Sequence, residues 1–278
     1  MKTYIYKAVA GVCSLMLLMS SCESFLSEEP KDFLSPENLP NTEAECNMLL
    51  MGSLSYWRSN NFERHINFIA EATTDAVVSA TANNVARDEM NSLTWQSDNE
   101  SLYKPWQQFY ACINASNIMI EKVPNASKVS DEVKTRYVAA ARYMRAMSYF
   151  YLVRIFNDVI YLDTPVNDFT SANNMTKTPA KEIYNKIVED LEYAEANLPV
   201  KWDSGTERPT VAAAKSLLSW VYITMAGEQV KDNTMWAKAA SKAKEVIDNA
   251  ATYGIKLEEN YADFGWSTIG ITKNRSLP

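Results

Sequence analysis

The chain has 278 residues, of which 27 are lysine or arginine and 34 are aspartate or glutamate, so its formal net charge is −7 at pH 7. An acidic surface repels the phosphate backbone of nucleic acids, and no basic cluster with interleaved aromatic residues offsets that repulsion. We therefore exclude nucleic acid as a partner. The length of the chain is sufficient for a domain with its own hydrophobic core.

The first residues have the pattern of an export signal. Lys2 and Lys7 form a basic start, residues 8–19 are apolar, and small residues lead to Cys22. A helix that spans a bilayer needs roughly 20 apolar residues, so this run is too short to serve as a membrane anchor. We interpret residues 1–21 as a signal peptide.

Cys22 is followed at once by polar and acidic residues, which resembles a bacterial lipobox. We expect a lipid on the Cys22 sulfur; the alternative is ordinary cleavage after Ser21, which leaves a free thiol. Residues 22–41 are acidic and contain three prolines. This composition predicts an extended tether between the lipid and a folded region over residues 42–278.

Helical periodicity dominates the folded region. Apolar residues at spacings of three and four, with capping residues and prolines at the ends, predict six helices, over residues 42–57, 102–123, 130–156, 179–198, 210–227 and 234–250. The longest, 130–156, carries one apolar stripe and is predicted to be the central packing helix. Successive amphipathic helices with short turns predict an all-α fold of tetratricopeptide-like antiparallel helix pairs.

Residues 58–99 are rich in Asn, Thr, Ser and Asp, and over much of their length lack helical periodicity, so we predict a long irregular loop region there. Trp95 stands among amides and carboxylates. Such a ring can hold a sugar by stacking on its apolar face, while Arg87, Asn91 and Asn99 provide hydrogen bonds. The alternative for Trp95 is a packed anchor of the loop.

The sequence contains no motif that indicates catalytic activity. The chain has one histidine, His65, and only seven glycines, with no phosphate-binding loop and no cluster of His and Cys. We therefore expect no enzyme activity, no metal and no cofactor, and a structural role for His65. Cys46 and Cys112 are expected to be buried apolar residues, with a disulfide between them left open.

Five segments, in chain order, resemble the SusD/RagB-like outer-membrane lipoproteins. The most specific is 140–150 (AARYMRAMSYF), which is similar to the family's A-E-A-R-F-L-R-A-x-x-Y-F; the others are 106–117, 182–199, 208–214 and the residues Trp236, Ala243, Val246 and Tyr253. Members usually continue well beyond the segment that resembles 261–264. We therefore expect this chain to hold the N-terminal portion of the family fold.

The resemblance implies a lipid-anchored, surface-exposed protein of the cell outer membrane. Such a protein captures glycans, or sometimes peptides, for a SusC-like TonB-dependent transporter and performs no catalysis. The alternative function is a helical-repeat scaffold lipoprotein that binds no substrate. Arg142 and Arg145, in the most specific segment, are predicted to be structural, because they lie three residues apart on a packed helix.

Overall fold

The computed structural model describes residues 40–77, 84–166, 175–203 and 208–257. This part of the chain folds into α-helices, which we number α1 (Glu43–Ser55), α2 (Asn60–Glu71), α3 (Val85–Ser92), α4 (Glu100–Lys122), α5 (Asp131–Phe156), α6 (Ala180–Asn197), α7 (Val211–Ala226), α8 (Met235–Asp248) and α9 (Ala250–Tyr253). The expected signal peptide, the lipidation site Cys22 and nearly all of the tether lie outside the described residues.

Polar caps define where several helices begin. The Thr42 hydroxyl accepts a hydrogen bond from the backbone N–H of Glu45, whose carboxylate accepts one from the N–H of Thr42, forming a capping box. The hydroxyls of Ser130 and Thr210 cap α5 and α7, each by accepting a hydrogen bond from the backbone N–H three residues further on. These starts agree with the helix boundaries predicted from the sequence, because a capping residue is a local signal.

The α5 helix lies at the centre of the described fold. It packs against α4 on one side and α6 on the other, and the stack continues through α7 to α8. Residues from Tyr137 to Ala141 are all buried, as are Met144, Tyr149 and Phe150. Small alanines at 139–141 allow close approach of the neighbouring helices. The predicted all-α fold of stacked helix pairs is thereby confirmed, with α5 as its central helix.

A four-residue ionic network joins the last three helices of the stack. The Lys215 Nζ of α7 lies 2.8 Å from Glu195 Oε1 of α6 and also contacts Glu245 of α8. The Nζ of Lys242 on α8 lies 2.7 Å from the same Glu195 oxygen and 3.1 Å from Glu245. Because each carboxylate meets two ammonium groups, the network fixes the relative positions of α6, α7 and α8.

The irregular loop predicted for residues 58–99 is wrong over the two stretches in which α2 and α3 form, Asn60–Glu71 and Val85–Ser92. The α3 helix is only eight residues long and buries one large side chain, Met90, so it shows little apolar periodicity. The α4 helix also begins two residues before the predicted Leu102, which places Pro105 in its second turn. A short polar helix such as α3 escapes a search for apolar stripes.

On α8, Trp236 and Ile247 are 52% and 72% exposed, so the apolar residues of this helix do not all face α7. Its buried contact is made by Ala239, whose carbonyl accepts a hydrogen bond from Ser219 on α7. Within the described ranges, every helix is too short or too polar to cross a membrane.

Candidate functional site

The predicted site residues come together in one small unit, formed by α3 and the loop that leads to α4. The Asn84 side chain caps α3 by accepting a hydrogen bond from the N–H of Arg87 at 3.0 Å. At the other end, Leu93 adopts a left-handed conformation with φ 57°, and the N–H of Thr94 donates to the carbonyl of Glu89 at 2.9 Å. The chain therefore reverses sharply after α3 and returns along it.

Asn99 joins the returning loop to both helices. Its Oδ1 accepts from the N–H of Ser101 and so caps α4, while its Nδ2 donates to the carbonyl of Ala86 at 2.9 Å and to Glu89 Oε2 at 2.6 Å. The side chain is 4% exposed. Because its amide is engaged within the fold, Asn99 positions the site; direct ligand contact by it stays a prediction.

Asn91 and Arg87 attach α3 to the preceding segment. The Asn91 Nδ2 donates to the carbonyl of Ala72 at 3.0 Å and to that of Val77 at 2.8 Å. The guanidinium of Arg87 lies over the ring of Phe68 on α2, with its carbon 5.6 Å from the ring centroid. Both side chains are half-buried. These contacts give them a positioning role, and their contact with a ligand stays a prediction.

Trp95 differs from these three residues because its side chain is exposed, by 38%. It lies in the returning loop, between Thr94 and Gln96, whose side chains are also exposed. An exposed indole on a loop that is hydrogen-bonded at both ends can offer a flat apolar face to a ligand at little cost in ordering. The unit thus consists of the exposed ring of Trp95 and three residues that hold α3 and the returning loop in place.

An open cavity of about 380 Å³ lies in the same unit. Its polar lining includes the carboxylates of Glu89, Asp98 and Glu100, and its other lining residues are Asn84, Val85, Ala86 and Asn99. The sequence indicates carboxylates near Trp95 but does not identify these three as site residues, because acids are frequent along the chain and only the α3 helix and the reversal after it bring Glu89 next to residues 98–100. The signal that could have located them is the pair of asparagine caps, Asn84 and Asn99.

His65 lies beneath this unit on α2. Its Nδ1 is 3.3 Å from the hydroxyl oxygen of Ser101, and its ring meets the ring of Phe68 edge-on. It is 6% exposed, and burial lowers its pKa below the usual value. The predicted structural role of His65 agrees with these contacts, since the ring packs between α2 and the start of α4.

A second polar cluster, around Arg145, is buried. Its Nε and Nη2 donate to the two carboxylate oxygens of Asp190 at 2.7 and 2.8 Å, and its Nη1 donates to Asn117 Oδ1 at 2.8 Å. The amide of Asn117 in turn donates to the carbonyls of Leu162 and Thr164. The cluster therefore joins α4, α5 and α6 and fixes the extended segment after α5.

The adjoining Arg142 lies over the ring of Tyr193, 4.2 Å from its centroid, and 3.7 Å from Asp190. The predicted structural roles of Arg142 and Arg145 are confirmed by these contacts. Cys46 and Cys112 are buried free thiols, as expected for apolar residues, and the disulfide left open is not formed. Burial raises the pKa of Cys46 to about 11, which suppresses the reactive thiolate.

Among the described residues, no group of three or more His, Cys, Asp or Glu side chains has the arrangement of a metal site. The geometry defines a class of protein: an all-α module of stacked helix pairs whose candidate site is an exposed aromatic ring beside hydrogen-bond acceptors.

Comparison with known proteins defines the family. Residues 24–223 match the family model SusD-like_3, described as "Starch-binding associating with outer membrane". A relative named SusD-like protein P2, from Formosa agariphila, is 33% identical over 253 residues, which is 89% of this chain and 47% of that protein. The chain belongs to the SusD-like family.

Solved structures share the fold. A protein described as a "Laminarin binding SusD-like protein" superposes with a TM-score of 0.71 and 25% identity, over 84% of this chain and 50% of that one. A structure described as holding a xylogluco-oligosaccharide gives a TM-score of 0.60 and 25% identity, over 77% of this chain and 42% of the other. The chain thus spans about half the length of the relatives that it matches.

Proposed function

We propose that this chain captures glycans at the cell outer membrane and binds them at the unit around Trp95. The observation that carries the proposal is the exposed indole of Trp95 on a loop fixed by Asn99, because Asp98 and Asn99 of that loop also line a cavity with three carboxylates. A sugar ring has an apolar face and a rim of hydroxyl groups. The indole can stack on the apolar face of the sugar, while the carboxylates accept hydrogen bonds from its hydroxyl groups.

The relatives support this substrate class. The matched family is described as starch-binding and associated with the outer membrane, and two structural neighbours are described with laminarin or a xylogluco-oligosaccharide. The lack of a catalytic constellation in the sequence favours capture without chemistry. We propose further that the chain passes its ligand to a SusC-like TonB-dependent transporter. Peptide ligands are the second substrate class that the resemblance implies.

Truncation of Trp95 tests the proposed site. We expect Trp95→Ala to weaken binding of an oligosaccharide about tenfold, because stacking on an indole contributes on the order of 1–2 kcal/mol. The melting temperature should change little, since the ring is exposed. Affinity is measured by titration calorimetry and stability by thermal unfolding on the same preparation, with gluco-oligosaccharides of α-1,4, β-1,3 and β-1,4 linkage.

Trp236→Ala is the matched control, because Trp236 is an exposed tryptophan on α8, outside the Trp95 unit. It should leave the affinity unchanged. Equal losses of affinity in the two variants would show that the ring at position 95 has no special role. A large loss of stability in Trp95→Ala would identify this ring as a packing anchor, and absence of binding by the unaltered chain would favour the scaffold function.

The proposed anchor is tested at Cys22. With no thiol to carry the acyl chains, Cys22→Ser should remain in the soluble fraction after cell lysis and a high-salt wash, whereas the unaltered protein should sediment with the outer membrane. Ser24→Ala, two residues away, is the control and should still sediment. Membrane association of Cys22→Ser would show that another segment holds the protein there.

A further inference from the structure

The unit that carries Trp95 has an excess of negative charge. Between the start of α3 and the first turns of α4 there are four acidic residues, Asp88, Glu89, Asp98 and Glu100, and two basic residues, Arg87 and Lys104. Three of the four acids line the cavity beside the loop. Trp95 lies three residues before Asp98 on the same loop, so a glycan that stacks on its ring and extends along the loop approaches these carboxylates.

The two basic residues offset only half of the four negative charges. Arg87 lies over the ring of Phe68 on α2, and Lys104 Nζ is 3.8 Å from Glu100, at a long salt-bridge distance. Across the described ranges, no lysine or arginine forms a salt bridge with Glu89 or Asp98. The Glu89 carboxylate accepts a hydrogen bond from the neutral amide of Asn99. This bond uses one lone pair of the carboxylate and does not neutralise its negative charge.

An ionised carboxylate accepts hydrogen bonds and cannot donate them, so this wall suits the hydroxyl groups of a sugar. A uronate or sulfate group on a glycan stacked at Trp95 would bring negative charge toward the same carboxylates, of which Asp98 lies three residues along the loop, and would be repelled. We infer that the Trp95 site selects uncharged glycans and rejects those that carry uronate or sulfate groups. This inference rests on the proposed function and adds the substrate class to it.

A matched pair of ligands tests the selectivity on the full chain. The probes are gluco-hexasaccharides of α-1,4, β-1,3 and β-1,4 linkage, each with its counterpart oxidised at C6 to glucuronate. The two members of a pair share ring and linkage and differ in charge. We expect the oxidised member to bind on the order of tenfold more weakly at low ionic strength, and the gap to narrow in 0.5 M salt, because salt screens the repulsion.

Removal of the carboxylates tests their role directly. Asp98→Asn together with Glu100→Gln should improve binding of the oxidised hexasaccharide several-fold, whereas the neutral one should gain nothing. Glu132→Gln is the control for net charge. Glu132 lies in the first turn of α5, beyond the opposite end of α4, whose 23 residues extend about 35 Å. This variant should leave both affinities unchanged.

The outcomes separate this inference from the proposed function. Equal or tighter binding of the oxidised member in low salt would overturn the selectivity and leave glycan capture standing. The selectivity would also be overturned if the double variant did not improve binding of the oxidised hexasaccharide, or if Glu132→Gln improved that binding equally. Failure of every hexasaccharide, neutral or oxidised, to bind would overturn both proposals.

Discussion

Replacement of Arg145 by leucine is expected to destabilise the protein by roughly 3–5 kcal/mol, because it leaves the buried carboxylate of Asp190 without its bidentate partner. Asp190 is 4% exposed and Arg145 is 6% exposed, so water cannot take the place of the guanidinium. Arg142, whose Nη1 is 3.7 Å from Asp190, can compensate only in part. Chemical denaturation with urea, monitored by circular dichroism, measures the loss.

The double variant Arg145→Leu, Asp190→Leu separates the buried charge from the lost packing. It should recover much of the stability, because a buried ion pair can often be replaced by apolar side chains at little cost. Lys186→Ala is the control, since Lys186 and Glu189 form an exposed pair on α6 and its removal should cost below about 1 kcal/mol. A loss in Arg145→Leu no larger than in this control would contradict the buried role.

Substitution of Met144 by aspartate should also cost several kcal/mol, comparable with the total stability of a typical domain. Met144 lies in the middle of α5, is 1% exposed and packs in an apolar cluster, so a carboxylate there loses its hydration. We expect most molecules of this variant to be unfolded or insoluble at 37 °C. Thermal unfolding and the yield of soluble protein are the two measurements.

Met48→Asp provides the matched control on α1, where the methionine side chain is 47% exposed. Both variants place an aspartate within a helix and carry a similar cost in helix propensity, so the difference between them reports on burial. Similar melting temperatures for the two variants would show that α5 is not the central packing helix of the fold.

The sequence was sufficient to predict the six longer helices of the described residues but not the three shorter ones, α2, α3 and α9. Thr42, Ser130 and Thr210 are local signals, and the apolar stripe of α5 repeats over many turns, so both kinds of evidence lie within a short stretch of sequence. The α3 helix buries Met90 and little else. A single contact has no period, and only packing against the neighbouring helices stabilises such an element.

The candidate site was predictable in part for the same reason. Trp95 stood out in sequence because it lacks helical spacing and lies among polar residues, and the structure places it on an exposed loop. The roles of Asn91 and Asn99 depend on carbonyl groups 13 to 19 residues away, at Ala72, Val77 and Ala86, which no local pattern specifies. The ionic network likewise forms only when three helices pack together, so no local pattern predicts it. Its members are Glu195, Lys215, Lys242 and Glu245.

Oxidation of individual tryptophans in the presence of ligand tests the central claim most directly. The full chain is treated with N-bromosuccinimide, with and without a saturating gluco-oligosaccharide that it binds, and each indole is followed by peptide mass spectrometry. We predict that the ligand slows oxidation of Trp95 severalfold while Trp236 is oxidised at an unchanged rate. Oxidation of Trp95 at the same rate with ligand bound would contradict the assignment of this loop as the glycan site.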